Sequence, residues 1–218
     1  MSFHFIFTRV GVRVTMFGTA KTFKACLTIL IIFQFCANVC QSNLTVLSSP
    51  RQTNFGDWGD LETCPDGTFV MGFRLKTEPF QGPLDDTGLN GVQLLCGKVG
   101  ESSRSIQSRR IQSLVGKWGS WGSSYECPRG YAVGFQIRSE AFEERNDNTA
   151  ANNLRIYCSG TKGYLEGAGL QWGNWSNIQL CPWKSVICGL RTQVQSPQGH
   201  NSDDTSLNNV DMKCCEML

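Results

Sequence analysis

Histidine is almost absent from this chain: 218 residues contain two, His4 and His200. Zinc is usually held by cysteine pairs two to four residues apart together with histidine. Here most cysteines beyond residue 40 stand about thirty residues apart, so the cysteines do not read as a zinc centre. A Ser-His-Asp triad would have to use His200, a lone loop histidine. The patterns G-x-S-x-G, H-E-x-x-H and the phosphate-binding P-loop are also missing. No metal or cofactor is therefore expected. There is no uninterrupted apolar run of the ~20 residues that a membrane-spanning helix needs, and no apolar helical period beyond the first 40 residues.

Those first 40 residues lack acidic side chains altogether, yet carry Arg9, Arg13, Lys21 and Lys24. Ala25–Val39 is almost continuously apolar, and small or polar residues follow. This order describes a secretory signal peptide rather than structure. "MFGTAKTFKACLTILIIF", from Met16, is a complete signal by itself, and cleavage is expected between Ala37 and Ser42. Residues 1–40 are thus expected to be removed, leaving 41–218 as one domain large enough for its own core. Removing four of the 20 basic and none of the 18 acidic residues turns the formal charge from +2 to −2. Nothing then points to a nucleic-acid partner, nor to a membrane once the signal is gone.

Cysteine, by contrast, is plentiful. Of 11 cysteines, Cys26, Cys36 and Cys40 fall in or beside the signal. Cys64, Cys96, Cys127, Cys158, Cys181, Cys188, Cys214 and Cys215 remain, an even number that reads as a disulfide framework in a secreted chain. Two N-glycosylation triplets, at Asn43 and Asn174, fit the same route.

Three internal repeats are legible: "FGDWGDLETCPDGTFVMGFRLKTEPFQGPLDDTGLNGVQLLC" (55–96), "WGSWGSSYECPRGYAVGFQIRSEAFEERNDNTAANNLRIYC" (118–158) and "WGNWSNIQLCPWKSVICGLRTQVQSPQGHNSDDTSLNNVDMKC" (172–214). In each, a Trp stands six residues before the first Cys, Pro follows that Cys, and Gly72, Gly134 or Gly189 comes shortly after. Alternating stretches such as "FVMGFRLKTE" predict half-buried β-strands. A further strand-like run precedes each repeat ("LTVLSS", "IQSLVG", "YLEGAG"), extending the units to about 44–96, 106–158 and 164–215. The expectation is an all-β domain in which each repeat forms one antiparallel sheet of about four short strands and three sheets close around a common axis. The simplest cysteine pairing is Cys64–Cys96, Cys127–Cys158 and Cys181–Cys214, each stapling its own sheet, with Cys188–Cys215 as an extra. Exchange of partners to Cys181–Cys215 and Cys188–Cys214 stays open. Each closed loop is worth roughly 3–4 kcal/mol in the chain-entropy account.

Each repeat carries a polar hexapeptide before its last strand: "DDTGLN", "DNTAAN" and "DDTSLN". Asp, Asn and Thr side chains hold tight turns by bonding to nearby backbone, and this structural reading is preferred. The functional reading is carbohydrate chemistry, in which paired carboxylates serve as acid and as nucleophile or base. Repeat one offers Glu78 with Asp85 and Asp86, the candidate catalytic set, and Gln81 and Asn90 as ligand contacts. Repeat two offers Glu140 and Asp147. Repeat three keeps Gln198, Asp203 and Asp204 but has Gln195 in place of the Glu, so three equivalent catalytic sites are excluded. Trp58, Trp121 and Trp175 are expected in the core beside the disulfides. Trp118 and Trp172, matched by Phe55, are the better candidates for exposure and for stacking on sugar rings.

"KWGSWGSSYECPRGYAVGFQIRSE", "PFQGPLDDTGLNGVQLLC", "CGLRTQVQSPQG" and "DDTSLNNVDMKCC" resemble the vitelline membrane outer layer protein I family, over roughly residues 44–215. The resemblance implies a β-prism of three Greek-key sheets with four disulfides. It also implies a secreted coat protein like the family's founding member, from the outer layer of the egg vitelline membrane. A transferase-like activity on N-acetylchitooligosaccharides is associated with the family, without an established catalytic set. This chain departs from the family at "EERNDNT", where an acidic pair replaces Gln-Gly. The resulting expectation is an extracellular coat or matrix protein associated with glycans or glycoproteins, with a weak glycosyltransferase as the alternative.

Overall fold

The computed structural model describes residues 45–81, 87–143, 149–199 and 204–217, all within one compact unit, Leu44–Leu218. The expected signal peptide lies outside the described residues. The strands are β1 (Thr45–Ser48), β2 (Asp57–Trp58), β3 (Glu62–Thr63), β4 (Phe69–Thr77), β5 (Leu89–Gly97), β6 (Arg110–Ile111), β7 (Ser120–Trp121), β8 (Tyr125–Glu126), β9 (Ala132–Ser139), β10 (Ala151–Cys158), β11 (Tyr164–Glu166), β12 (Asn174–Trp175), β13 (Gln179–Leu180), β14 (Ser185–Val194) and β15 (Leu207–Glu216). One short helix, α1 (Ser103–Ser108), follows β5.

Three long hairpins, β4–β5, β9–β10 and β14–β15, form the centres of three antiparallel sheets. In the sheet built on β4–β5 the order is β6-β5-β4-β7, with β8 also on β4. The second sheet runs β11-β10-β9-β12, with β13 also on β9. The third runs β1-β15-β14-β2, with β3 also on β14. In the first two, three successive strands are followed by one that returns beside the first, which is the Greek key, and the third has the same spatial arrangement. The third sheet closes the chain on itself, because its outer strands come from the N-terminal side of the unit and its hairpin from the C-terminal side.

The sheets do not coincide with the sequence repeats. Each sheet takes its hairpin from one repeat and its Trp and Cys arms from the next, so Trp121 of the second repeat pairs with Lys76 of the first. The disulfides consequently join neighbouring sheets rather than stapling single ones. Cys64 extends the β3 arm by donating its N–H to Cys188 O, and bonds across to Cys96 in β5. Cys127 after β8 bonds to Cys158 in β10, and Cys181 after β13 bonds to Cys214 in β15. These three bridges run around the prism in one sense. The fourth, Cys188–Cys215, lies within the β14–β15 hairpin; of the two connectivities that spacing leaves open, this is the one found.

Alternation along the hairpins sends one side chain in two to a common core. Phe73, Val92, Leu94, Phe135, Ile137, Leu154, Ile156, Leu190, Val210 and Met212 are all essentially inaccessible and belong to one cluster. Gly72, Gly134 and Gly189 lie where another strand crosses. A Cβ there would come within 2.4 Å of Tyr125 O, 2.4 Å of Gln179 O and 2.6 Å of Glu62 O respectively, which explains why the repeats place glycine at these points. α1 carries no apolar helical period: it is one turn and a half long, and its single buried residue, Ile106, covers Met71 and Leu95 on the outer face of the first sheet.

Trp58, Trp121 and Trp175 are not in the core. All three are half-buried and lie outside the main cluster, under arginine guanidinium groups. Arg51 and Arg191 lie 4.4 and 4.7 Å from the Trp58 ring, Arg74 lies 4.9 Å from Trp121, and Arg155 lies 3.9 Å from Trp175. Asp211, almost inaccessible, holds both Arg51 (2.5 Å) and Arg191 (2.8 Å). Cation–π stacking lets a large ring sit at a wet surface, so the repeated Trp finishes an outer sheet face instead of filling the core.

Candidate functional site: an aromatic rim at the turn end of the prism

One end of the prism holds the three inter-sheet disulfides. The other holds the turns of the three hairpins, and there the repeated hexapeptide does its work. In the first turn Glu78 Oε2 accepts bonds from Thr87 N (3.2 Å) and Thr87 Oγ1 (2.7 Å), while Oε1 accepts from Gln81 Nε2 (2.8 Å). Asn90 Nδ2 then donates to Thr87 Oγ1 at 2.6 Å. The second turn repeats this with Thr149 Oγ1 on Glu140 Oε2 (3.1 Å) and Asn152 Nδ2 on Thr149 Oγ1 (2.6 Å). In the third, Gln195 Oε1 takes the place of the carboxylate. It accepts from Thr205 N (3.1 Å) and Thr205 Oγ1 (2.6 Å), and Asn208 Nδ2 donates to Thr205 Oγ1 (2.8 Å).

The residue after each Thr has left-handed backbone: Gly88 at φ 60°, Ala150 at 49° and Ser206 at 48°. Such a conformation costs a non-glycine residue free energy. Here it brings the turns of neighbouring sheets together. Ser206 Oγ donates to Asn90 Oδ1 (2.8 Å), and a Cβ added to Gly88 would lie 2.8 Å from Asn152 Oδ1.

In two of the three turns the Asn carbonyl also positions an aromatic arm. Asn90 Oδ1 accepts Trp118 N–H at 3.0 Å, and Asn208 Oδ1 accepts Phe55 N–H at 3.2 Å. Asn152 Oδ1 is buried and has no partner among the described residues. The result is a rim of aromatic side chains around this end. Phe80 is 61% exposed and meets Trp172 edge to face at 5.3 Å. Phe142 is 48% exposed and meets Phe55 in the same way, also at 5.3 Å. Trp118 is exposed, with Lys117 Nζ 4.3 Å from its ring centre.

The sequence candidates divide accordingly. Glu78, Asn90 and Asp204 are buried, and each is engaged within its turn; Gln198 N–H donates to Asp204 Oδ1 at 2.6 Å. Glu140 is half-buried, whereas Gln198 and Gln81, the latter next to Phe80 in the chain, are exposed. Trp118 and Trp172 belong to the rim itself. Asp85, Asp86, Asp147, Asp203, His200 and Asn43 lie outside the described residues. Among the described residues no group of acidic, histidine or cysteine side chains could hold a metal ion. The sequence reading missed Phe80 and Phe142, although each stands two residues after its Glu, in "EPF" and "EAF", a regularity that repeat three lacks.

A closed ring of three Greek-key sheets, stapled sheet to sheet by disulfides and capped by pseudo-symmetric turns, defines a β-prism protein. Residues 45–217 match the family described as Vitelline membrane outer layer protein I (VOMI), and the chain belongs to that family. It is 45% identical over 172 residues to the Vitelline membrane outer layer protein 1 homolog of Mus musculus, covering 75% of this chain and 81% of the mouse protein. It is 45% identical over 166 residues to that of Homo sapiens, covering 74% and 78%. Among solved structures it is similar to frutalin from Artocarpus incisa, at TM-score 0.49 and 9% identity over 81% of this chain and 98% of that one. Calystegia sepium agglutinin superposes at TM-score 0.48 and 10% identity, covering 80% and 97%. At that overlap and identity, what these proteins bind is theirs alone.

Proposed function

We propose that this protein is a secreted, disulfide-cross-linked coat or matrix protein that binds glycans or glycoproteins through the aromatic rim at the turn end of the prism. The observation that carries the reading is the rim: Phe55, Phe80, Trp118, Phe142 and Trp172 come from separate loops and stand at one end, held by the Glu/Gln–Thr–Asn turns beneath. Apolar rings with an amide such as Gln81 close by suit a sugar, which offers flat C–H faces and hydroxyl edges. Large aromatic side chains also dominate recognition surfaces generally. Four disulfides, the leader-like first 40 residues and the family support an extracellular setting.

Binding accounts for the turn geometry better than glycosyl transfer does. Both carboxylate oxygens of Glu78 accept bonds within the turn, and Gln195, which cannot donate a carboxyl proton, performs the same task in repeat three. The test is to offer the secreted protein immobilised N-glycans and N-acetylchitooligosaccharides, and separately to incubate it with chitohexaose and weigh the products. Retention on a glycan with unchanged chitohexaose is the expected result. Chain-lengthened or shortened products would make it an enzyme, and retention on no glycan would remove the binding reading.

A further inference from the structure

We infer that Asn174 is an N-glycan attachment site, an inference that rests on the secretory reading above. It stands in the triplet Asn174-Trp175-Ser176, at the start of β12, and its side chain is exposed. Among the described residues β12 pairs with β9 on one side only, so the residue lies on a strand edge.

The positions equivalent to Asn174 are Asp57 and Ser120, which are also exposed; the fold requires a polar surface residue there and nothing more. Ser176 corresponds to Gly59 and Gly122. All three make the same bond through the main chain: Gly59 N–H to Thr192 O (2.9 Å), Gly122 N–H to Leu75 O (2.8 Å) and Ser176 N–H to Ile137 O (2.8 Å). Ser176 Oγ does accept a bond from Ile137 N–H at 3.2 Å, but the other two sheets form the same junction without any hydroxyl. Ser176 Oγ also donates to Asn177 O at 3.0 Å, but the equivalent positions in the other two sheets are glycine, so Asn and Ser are both departures from the repeat, and together they make the acceptor triplet.

The reaction takes a lipid-pyrophosphate-linked oligosaccharide as co-substrate. Asn174 Nδ2 forms a bond to C1 of the reducing-end N-acetylglucosamine, and the bond from C1 to the pyrophosphate oxygen breaks. The lipid pyrophosphate leaves with the electron pair, and one Nδ2 proton passes to a base of the transferring enzyme. The attached glycan would shield an edge strand, whose unpaired backbone groups otherwise invite pairing with another chain. It would emerge two residues along the chain from Trp172.

The experiment expresses the full chain in cultured animal cells. Protein from the medium is treated with peptide-N-glycosidase, and the tryptic peptide containing Asn174 is sequenced by mass spectrometry. Conversion of residue 174 to aspartate, dependent on the enzyme, is expected. Asn174→Gln and Ser176→Gly should both abolish it, whereas Ser176→Thr should retain it. Ser176→Gly copies the other two repeats and should be secreted as well as wild type, which separates loss of the glycan from loss of folding. Secreted protein with Asn174 unmodified would overturn the site and leave the secretory reading standing. Retention of all protein inside the cells, with no glycan, would overturn both.

Discussion

Ser206 and Asn90 lie 116 residues apart in sequence, yet the Ser206 hydroxyl donates to the Asn90 carbonyl at 2.8 Å, out of contact with water. The bond joins the third hairpin turn to the first. It makes Asn90 the most heavily used of the three equivalent asparagines, with Thr87, Trp118 N–H and Ser206 all as partners.

Asn90→Ala should therefore cost about 3 kcal/mol, since several buried groups lose their partners at once. Asn152→Ala should cost about 1–2 kcal/mol, because its Oδ1 has no donor to lose. Chemical denaturation with the disulfides intact measures both, and an equal or larger loss for Asn152→Ala would contradict the assignment.

Glu78→Gln should change stability by no more than about 1 kcal/mol, because Gln195 already fills the same role in the third turn. Glu78→Ala should cost about 2–3 kcal/mol by stranding the buried Thr87 N–H and hydroxyl. Thermal melts of the two variants compare them directly. A Glu78→Gln loss as large as that of Glu78→Ala would mean that the negative charge matters.

Ala150 has left-handed backbone and no exposure. Ala150→Gly should be nearly neutral, within about 1 kcal/mol, since glycine adopts that conformation freely. Ala150→Val should cost about 3 kcal/mol or more, combining backbone strain with overpacking. Comparable stability of the two variants would refute a close-packed axis.

Oxidation state offers a separate check. The protein should contain four disulfides and no free thiol after residue 40. A non-reducing digest should yield Cys64 linked to Cys96, and Cys188 linked to Cys215. Replacing Cys64 and Cys96 together by serine should lower stability by about 3–4 kcal/mol. Two or more reactive thiols in the native protein would contradict the framework.

Much of this architecture is legible in the residues. The alternation in "FVMGFRLKTE" and its counterparts marks the central hairpins, and the near-constant cysteine spacing marks a threefold plan. What local pattern cannot reveal is which hairpin each Trp arm joins. The β7 arm carrying Trp121 follows the first hairpin in sequence and pairs with it rather than with its own, so each sheet straddles a repeat boundary and each long-spaced disulfide crosses between sheets. The outward placement of Trp58 was equally hidden. It depends on Arg51 and Arg191 meeting over the ring with Asp211 between them, and those residues come from distant segments. In the turns, the bonding of Thr and Asn follows from their chemistry; "EPF" and "EAF" mark Phe80 and Phe142 in the sequence, but not that these rings stand exposed.

The most direct test of glycan binding at the aromatic rim is calorimetric titration with N-acetylchitotetraose, run on wild type, Phe80→Ala, Trp172→Ala and Trp183→Ala. Trp183 is 90% exposed but follows Cys181, at the disulfide end of the prism, and so controls for loss of any surface aromatic. Wild type and Trp183→Ala should bind alike, while Phe80→Ala and Trp172→Ala weaken binding by roughly tenfold or more, the scale of losing a principal aromatic contact. Binding by wild type that survives both rim substitutions, or falls equally with Trp183→Ala, would contradict the account.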